Sequence, residues 1–119
     1  LEPVSVMGRV EAAEAVSDRT GAVVLLKGAD TVVTSGSGST YINTTGNPGM
    51  ATGGSGDVLT GVITAFVASG IAPLDAARAG AFVHGMAGDL AAGIMGQWGM
   101  TATDIRDQLP ATLRGIVGK

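Results

Sequence analysis

The sequence predicts an α/β fold, and three observations point to it. Val6–Thr20 carries an amphipathic helical pattern that ends at Gly21 and runs at once into a continuous apolar stretch at 22–26. Helix, glycine and buried strand in succession form the repeat unit of α/β architecture. Two more short β-branched stretches, 31–34 and 40–44, flank a Gly/Ser turn at 35–39, the pattern of an edge hairpin. A glycine-rich stretch at 46–57 then opens an apolar helical region. The 119 residues leave room for one domain. Their 45% apolar content supports a real core, and the 14% charged fraction predicts that much of the surface is covered.

Taken in order, residues 1–5 read as an irregular lead-in containing Pro3. In the first helix Val6, Val10, Ala13 and Val16 share one face, and Arg9, Glu11, Glu14, Asp18 and Arg19 form a solvated face. Gly21 is placed to cap it. The apolar run at 22–26 suits a strand buried on both faces of a parallel sheet. Lys27 stands at its carboxyl end, where open α/β sheets bind ligands. Position alone leaves Lys27 either a solubilising strand-end residue or a ligand contact.

Residues 58–69 carry no charge, which predicts a buried helix. Gly70 ends it, and Pro73 opens the next at a favoured position. That helix, 73–94, is charged only at Asp75, Arg78 and Asp89 and is rich in small residues. Gly85, Gly88 and Gly93 weaken it in isolation, so packing must hold it. His84, the single histidine, reads as a hydrogen-bonded core residue, with no Cys, His or paired carboxylate to make a metal motif. Asp89 is expected to cap or pair locally. Met86, Met95 and Met100 are expected as core filler, and Trp98 as a packing anchor or interface residue. Thr101 and Asp104 have capping spacing. Ile105, Leu109, Leu113 and Ile116 make one apolar face of a final helix that Pro110 divides in two.

The chemistry gathers at Gly46-Asn47-Pro48-Gly49-Met50-Ala51-Thr52-Gly53-Gly54-Ser55-Gly56-Asp57. A flexible glycine backbone can aim several N–H groups at one point, and the helix that follows adds its positive end. Together these make an anion site suited to a phosphoryl group. Asp57 either caps the helix or serves as a general base that takes a proton from a substrate hydroxyl beside that anion hole. Neither the Gly-x-x-x-x-Gly-Lys-Ser/Thr run nor the Gly-x-Gly-x-x-Gly dinucleotide fingerprint is present.

These residues, continued by Val58-Leu59-Thr60-Gly61, resemble the C-terminal signature of ribokinase-like enzymes, and more narrowly the ADP/ATP-dependent NAD(P)H-hydrate dehydratases. Leu26-Lys27-Gly28-Ala29-Asp30-Thr31-Val32-Val33, Ala76-Ala77, His84-Gly85-Met86-Ala87-Gly88-Asp89 and Thr101-Ala102-Thr103-Asp104 extend the resemblance over nearly the whole chain from Val6. It implies a ribokinase-like three-layer α/β/α fold. Because the family is more than twice this length and the chain begins at Leu1 rather than Met, residues 1–119 are expected to be the C-terminal portion of a single domain. The implied activity is repair of hydrated NADH and NADPH: ADP or ATP phosphorylates the ring hydroxyl of the S form, and phosphate then leaves. Bacterial members use ADP and eukaryotic ones ATP, with ADP favoured here. The resemblance implies Asp57 as base and substrate contact. Gly53, Gly54, Ser55 and Gly56 would form the anion hole, with Gly56 also near the nucleotide. Lys27, Gly28, Ala29, Asp30 and Thr31 would hold the nucleotide. Magnesium is expected because transferring phosphates need charge neutralisation, with no ligand for it identifiable.

Two other readings stand beside this one. A small-molecule hydroxyl kinase, for a vitamin precursor or a sugar, would share the base and anion hole. A non-catalytic assembly piece or inactive fragment would follow from the family's substrate-side residues, including a histidine, having no counterpart here. The small apolar residues fit a homo-oligomer, a tetramer by resemblance. The net charge of −3 argues against nucleic-acid binding. The apolar run at 58–72 is too short and broken to span a bilayer, and no signal peptide is visible. The absence of cysteine excludes disulfides and thiolate chemistry. The expected setting is the cytoplasm.

Overall fold

A computed structural model describes residues 5–118; the irregular lead-in, apart from Ser5, lies outside the described residues. Ser5 starts helix α1 (Val6–Thr20) by accepting the Gly8 N–H on its hydroxyl (3.0 Å), and Gly21 ends it in the left-handed conformation, φ 72°. The buried face is Val10, Ala13 and Ser17. This corrects the expected stripe, because Val6 and Val16 stand exposed. Ser17 joins the buried face because its hydroxyl donates to the Ala22 carbonyl (2.7 Å). Nor do the charges of α1 form a plain solvated face. Glu14 accepts from the Thr40 hydroxyl (2.5 Å), and Asp18 accepts from the Ser37 hydroxyl (3.0 Å).

Strands β1 (Val24–Leu26), β2 (Thr31–Thr34) and β3 (Thr40–Asn43) form one antiparallel sheet in the order β1-β2-β3, with Leu25 opposite Val33 and Val33 opposite Tyr41. The parallel sheet expected around 22–26 is not formed within this chain. Only residues 27–30 separate β1 from β2, and a parallel crossover needs a dozen or more. Both faces are packed, although Val24, Leu25 and Leu26 are only half-buried and Ala22 is exposed. Val24, Leu26 and Val32 pack with Val10 and Ala13 of α1, while Val23, Leu25 and Val33 pack with Ala77 and Ala81 of helix α3 (Pro73–Met95). The period of two along each strand thus sends alternate residues to two helical layers, giving α/β/α.

Helix α2 (Ser55–Ala68) lies against α3, but only Ser55, Leu59 and Val62 are buried. The fully buried helix expected from its lack of charge is corrected to a one-sided one. Its other face, Val67 included, is exposed among the described residues. Most buried positions of α3 are Ala or Gly, which lets its neighbours approach closely. Thr101 and Asp104 form a reciprocal capping box on helix α4 (Ala102–Asp107), and Pro110 sits in the first turn of helix α5 (Leu109–Val117), dividing the C-terminal helix as expected. Ile105, fully buried, packs with Ala87, Ala91 and Met100 in a third cluster. Met95 is half exposed and Trp98 fully so. Neither is core filler or an internal anchor, because both lie at the α3 end and its loop, beyond the packed part of the helix. Among the described residues no helix is long and apolar enough to cross a membrane.

Candidate functional site

Two loops, the first turn of α2 and one face of α3 enclose a cavity of about 720 Å³. Lys27 to Thr31, each a predicted nucleotide contact, all line it, as do Gly53, Ser55 and Gly56 from the anion-hole set, with His84 on the α3 side. Residues more than twenty positions apart therefore share one wall. Lys27 Nζ lies so close to Gly56 that a Cβ added there would stand 2.5 Å from it. The glycine lets the ammonium lie directly on the N-terminal end of α2. A full positive charge and the positive end of a helix dipole meet at one place.

Gly54 is the N-cap of α2, with φ 89° and no side-chain cap. The capping role for Asp57 is thereby removed: it is the third residue of the helix, exposed to solvent, and not on the cavity wall. Among the described residues the N–H groups of Gly53, Gly54 and Gly56 meet no acceptor, whereas Ser55 N–H donates to the Thr52 carbonyl (3.2 Å). The loop thus presents three free donors, not four.

Ser55 is held from the α3 side as well, by His84. His84 Nε2 lies 3.0 Å from the Ser55 carbonyl and 3.4 Å from its hydroxyl. A carbonyl only accepts, so Nε2 carries the hydrogen. Burial lowers the pKa of His84 from its ordinary 6.5, the bond to the Ser55 carbonyl opposes that shift, and the nearby Lys27 charge adds to it. His84 is therefore a neutral strut under the anion loop. Structural reading of this histidine agrees with its burial, but its position at the cavity was not legible in its helical surroundings.

The 46–50 segment is fastened to α3. Asp89 accepts from Gly46 N–H (3.1 Å) and from Asn47 Nδ2 (2.8 Å). This corrects the local role expected of it, since the partners lie 43 and 42 residues away. A Cβ on Gly85 would run into Thr45, and one on Gly88 into Met50, so these glycines let the loop lie directly on the helix. Thr45 donates its hydroxyl to the Phe82 carbonyl (3.1 Å), and Asn43 Nδ2 donates to that of Ala81 (3.2 Å). The sequence signal that could have located this seam is the His84-Gly85-x-x-Gly88-Asp89 spacing, which puts glycines and two polar groups on one helical side. Among the described residues no cluster of three or more His, Cys, Asp or Glu could hold a metal.

Comparison with known proteins agrees with this architecture. A family model described as NAD(P)H-hydrate dehydratase matches residues 3–111. The bifunctional NAD(P)H-hydrate repair enzyme Nnr of Thermofilum pendens is 49% identical over 108 residues, covering 91% of this chain and 21% of that protein. The ADP-dependent (S)-NAD(P)H-hydrate dehydratase of Cenarchaeum symbiosum is 35% identical over 112 residues, covering 94% of this chain and 38% of the relative. Among solved structures, the ADP/ATP-dependent NAD(P)H-hydrate dehydratase of Bacillus subtilis, co-crystallised with ATP/Mg2+ and soaked with CoA, superposes with TM-score 0.84 at 30% identity, over 90% of this chain and 40% of the other. The chain thus spans about a fifth to two fifths of the length of these relatives. The α/β fold is that of the solved relative, and the ribokinase-like arrangement is consistent with it. With the family model covering residues 3–111, this chain belongs to the NAD(P)H-hydrate dehydratase family.

Proposed function

We propose that this chain forms the nucleotide- and phosphoryl-binding part of an ADP- or ATP-dependent dehydratase that restores NADH and NADPH from their S-form hydrates. The observation that carries the reading is the meeting of Lys27 Nζ with Gly56 at the start of α2, in the wall of the 720 Å³ cavity. Lys27 to Thr31 hold the nucleotide, with the Lys27 ammonium as a point charge on phosphate. The N–H groups of Gly53, Gly54 and Gly56, which meet no backbone acceptor among the described residues, receive the transferring phosphoryl group. Asp57, one residue beyond Gly56 and open to solvent, accepts the proton of the ring hydroxyl as its oxygen bonds to phosphorus and the P–O bond to the leaving nucleotide breaks. Phosphate then leaves the ring carbon as a proton leaves its neighbour, and the double bond returns.

Magnesium fits this site only as an ion carried on the nucleotide. Among the described residues Asp30 is the one carboxylate on the cavity wall, and magnesium keeps its waters and binds largely through substrate phosphates. When bound it would neutralise phosphate charge. We further propose that residues 1–119 are the C-terminal part of one domain, that the protein acts in the cytoplasm, and that it assembles as a homo-oligomer, a tetramer by family resemblance.

The test is recovery of NADH absorbance from hydrated NADH, with ADP and ATP supplied separately and magnesium present. Recovery supports the dehydratase and names its donor. A stable phosphorylated product with no NADH would instead make the protein a hydroxyl kinase, and no reaction in a folded sample would make this chain alone inactive.

A further inference from the structure

Arg9 of α1 is the strongly engaged side chain that the site above leaves unused. Its guanidinium donates to four main-chain carbonyls of one loop: Nη1 to Ala29 (2.6 Å) and Asp30 (3.2 Å), Nη2 to Leu26 (3.0 Å) and Lys27 (3.0 Å). Among the described residues it forms no ion pair, and both Nη groups are spent on these carbonyls. Two backbone features make room for it. A Cβ on Gly28 would stand 2.7 Å from Nη2, and Asp30 is the one non-glycine residue among those described with positive φ, 56°.

A trans peptide is planar, with its N–H opposite its C=O. Gathering the carbonyls of residues 26, 27, 29 and 30 on one cation therefore turns the N–H groups of residues 27, 28, 30 and 31 the other way. Residues 27–31 line the cavity and Arg9 does not. The Gly28 N–H is taken by the Thr31 hydroxyl (3.4 Å); the clamp thus draws acceptors out of the cavity wall and turns the remaining N–H groups, with the Lys27 ammonium, toward the side an anionic ligand would meet. A lysine could not replace it, since four divergent carbonyls need the planar fork rather than a point charge.

We infer that Arg9 is a positioning residue for the nucleotide, acting through the 27–31 loop rather than by touching the ligand. The inference rests on the reading above that this loop holds ADP or ATP. Its test compares the parent chain with Arg9→Ala, Arg9→Lys and Lys27→Met by ADP calorimetry, by 15N relaxation and by thermal melting. Arg9→Ala is expected to weaken ADP binding about tenfold. The order parameters of residues 27–30 should fall to the flexible range, below about 0.6, while those of residues 53–56 stay unchanged. Millimolar methylguanidinium should restore ADP affinity to Arg9→Ala and not to Lys27→Met. If Arg9→Ala does not fold, Arg9→Lys, which keeps charge and stem without the fork, should show the same loosening.

Parent-like ADP affinity and loop order in the folded Arg9 variants would overturn the inference while leaving the nucleotide site standing. A folded parent chain that binds no ADP would overturn the nucleotide reading itself, and the role of Arg9 with it.

Discussion

The loop at 27–31 is held from outside the sheet by one side chain, Arg9, through the carbonyls of Lys27, Ala29 and Asp30 and of Leu26 just before it, whereas the loop at 46–56 is fastened along its length to α3. Asp89 holds its start, Gly85 receives Thr45 just before it, Gly88 receives Met50 in its middle, and His84 holds Ser55 at its end. Apart from the strand pairing at its ends and the Gly28–Thr31 bonds, the first loop depends on that one side chain. The second shares its contacts with the core, so disturbing it costs stability of the whole. The division suits the proposed chemistry. Nucleotide must enter and leave, while the groups that meet the transferring phosphoryl must be held in place before it arrives.

Changes at each loop should separate these roles. The largest effect is expected from Asp57→Asn, which removes the base but not the donors beside it. Turnover in the NADH-regeneration assay should fall by about 10²-fold or more, while calorimetry finds ADP bound nearly as before. Loss of ADP binding in step with turnover would place Asp57 among the nucleotide contacts instead. Next is Gly85→Ala on the packed loop. The new methyl meets the side chain and carbonyl carbon of Thr45, and backbone gives way less readily than a flexible side chain. A denaturant melt should show a loss of about 1–3 kcal/mol. A neutral result would mean that the 46–56 loop is no more firmly held than its counterpart.

Lys27→Met tests the other loop. ADP affinity should drop about tenfold, with the melting temperature nearly unchanged because the side chain is exposed. The smallest effect lies where the loops meet, at His84. Burial first, with the Lys27 charge adding to it, keeps the pKa of His84 below 6.5 against the bond to Ser55. The unfolded chain therefore takes up a proton before the folded protein does. Stability should be full above pH 6.5 and fall as pH drops below it, until folded His84 also protonates. Urea melts at several pH values should show this fall in the parent, a smaller one in Lys27→Met, and none from this source in His84→Gln.

Much of this was legible in the sequence because its causes are local. Gly21 marks a helix end because glycine reaches positive φ freely, Pro73 a helix start because its φ is fixed, and Thr101 and Asp104 cap a helix three residues apart. Pro110 divides its helix because it cannot donate within it. What escaped was set by partners distant in the chain. Arg9 and Asp89 looked like solvated or locally paired charges, yet they hold loops 17–21 and 42–43 residues away. The parallel sheet was inferred from an apolar run, but apolarity reports covered faces and not strand direction. The antiparallel direction comes from the four-residue loop after β1. The charge-free α2 failed as a buried helix for a related reason, since only one of its faces meets α3.

The central claim is that Lys27 and the first turn of α2 make one nucleotide-phosphate site. Its most direct test is calorimetric titration of ADP with magnesium into this chain, beside Lys27→Met and Asp57→Asn. The account predicts saturable binding by the parent, about tenfold weaker binding by Lys27→Met, and near-parent binding by Asp57→Asn. A folded parent that binds no ADP, or a Lys27→Met chain that binds it as the parent does, would contradict the claim.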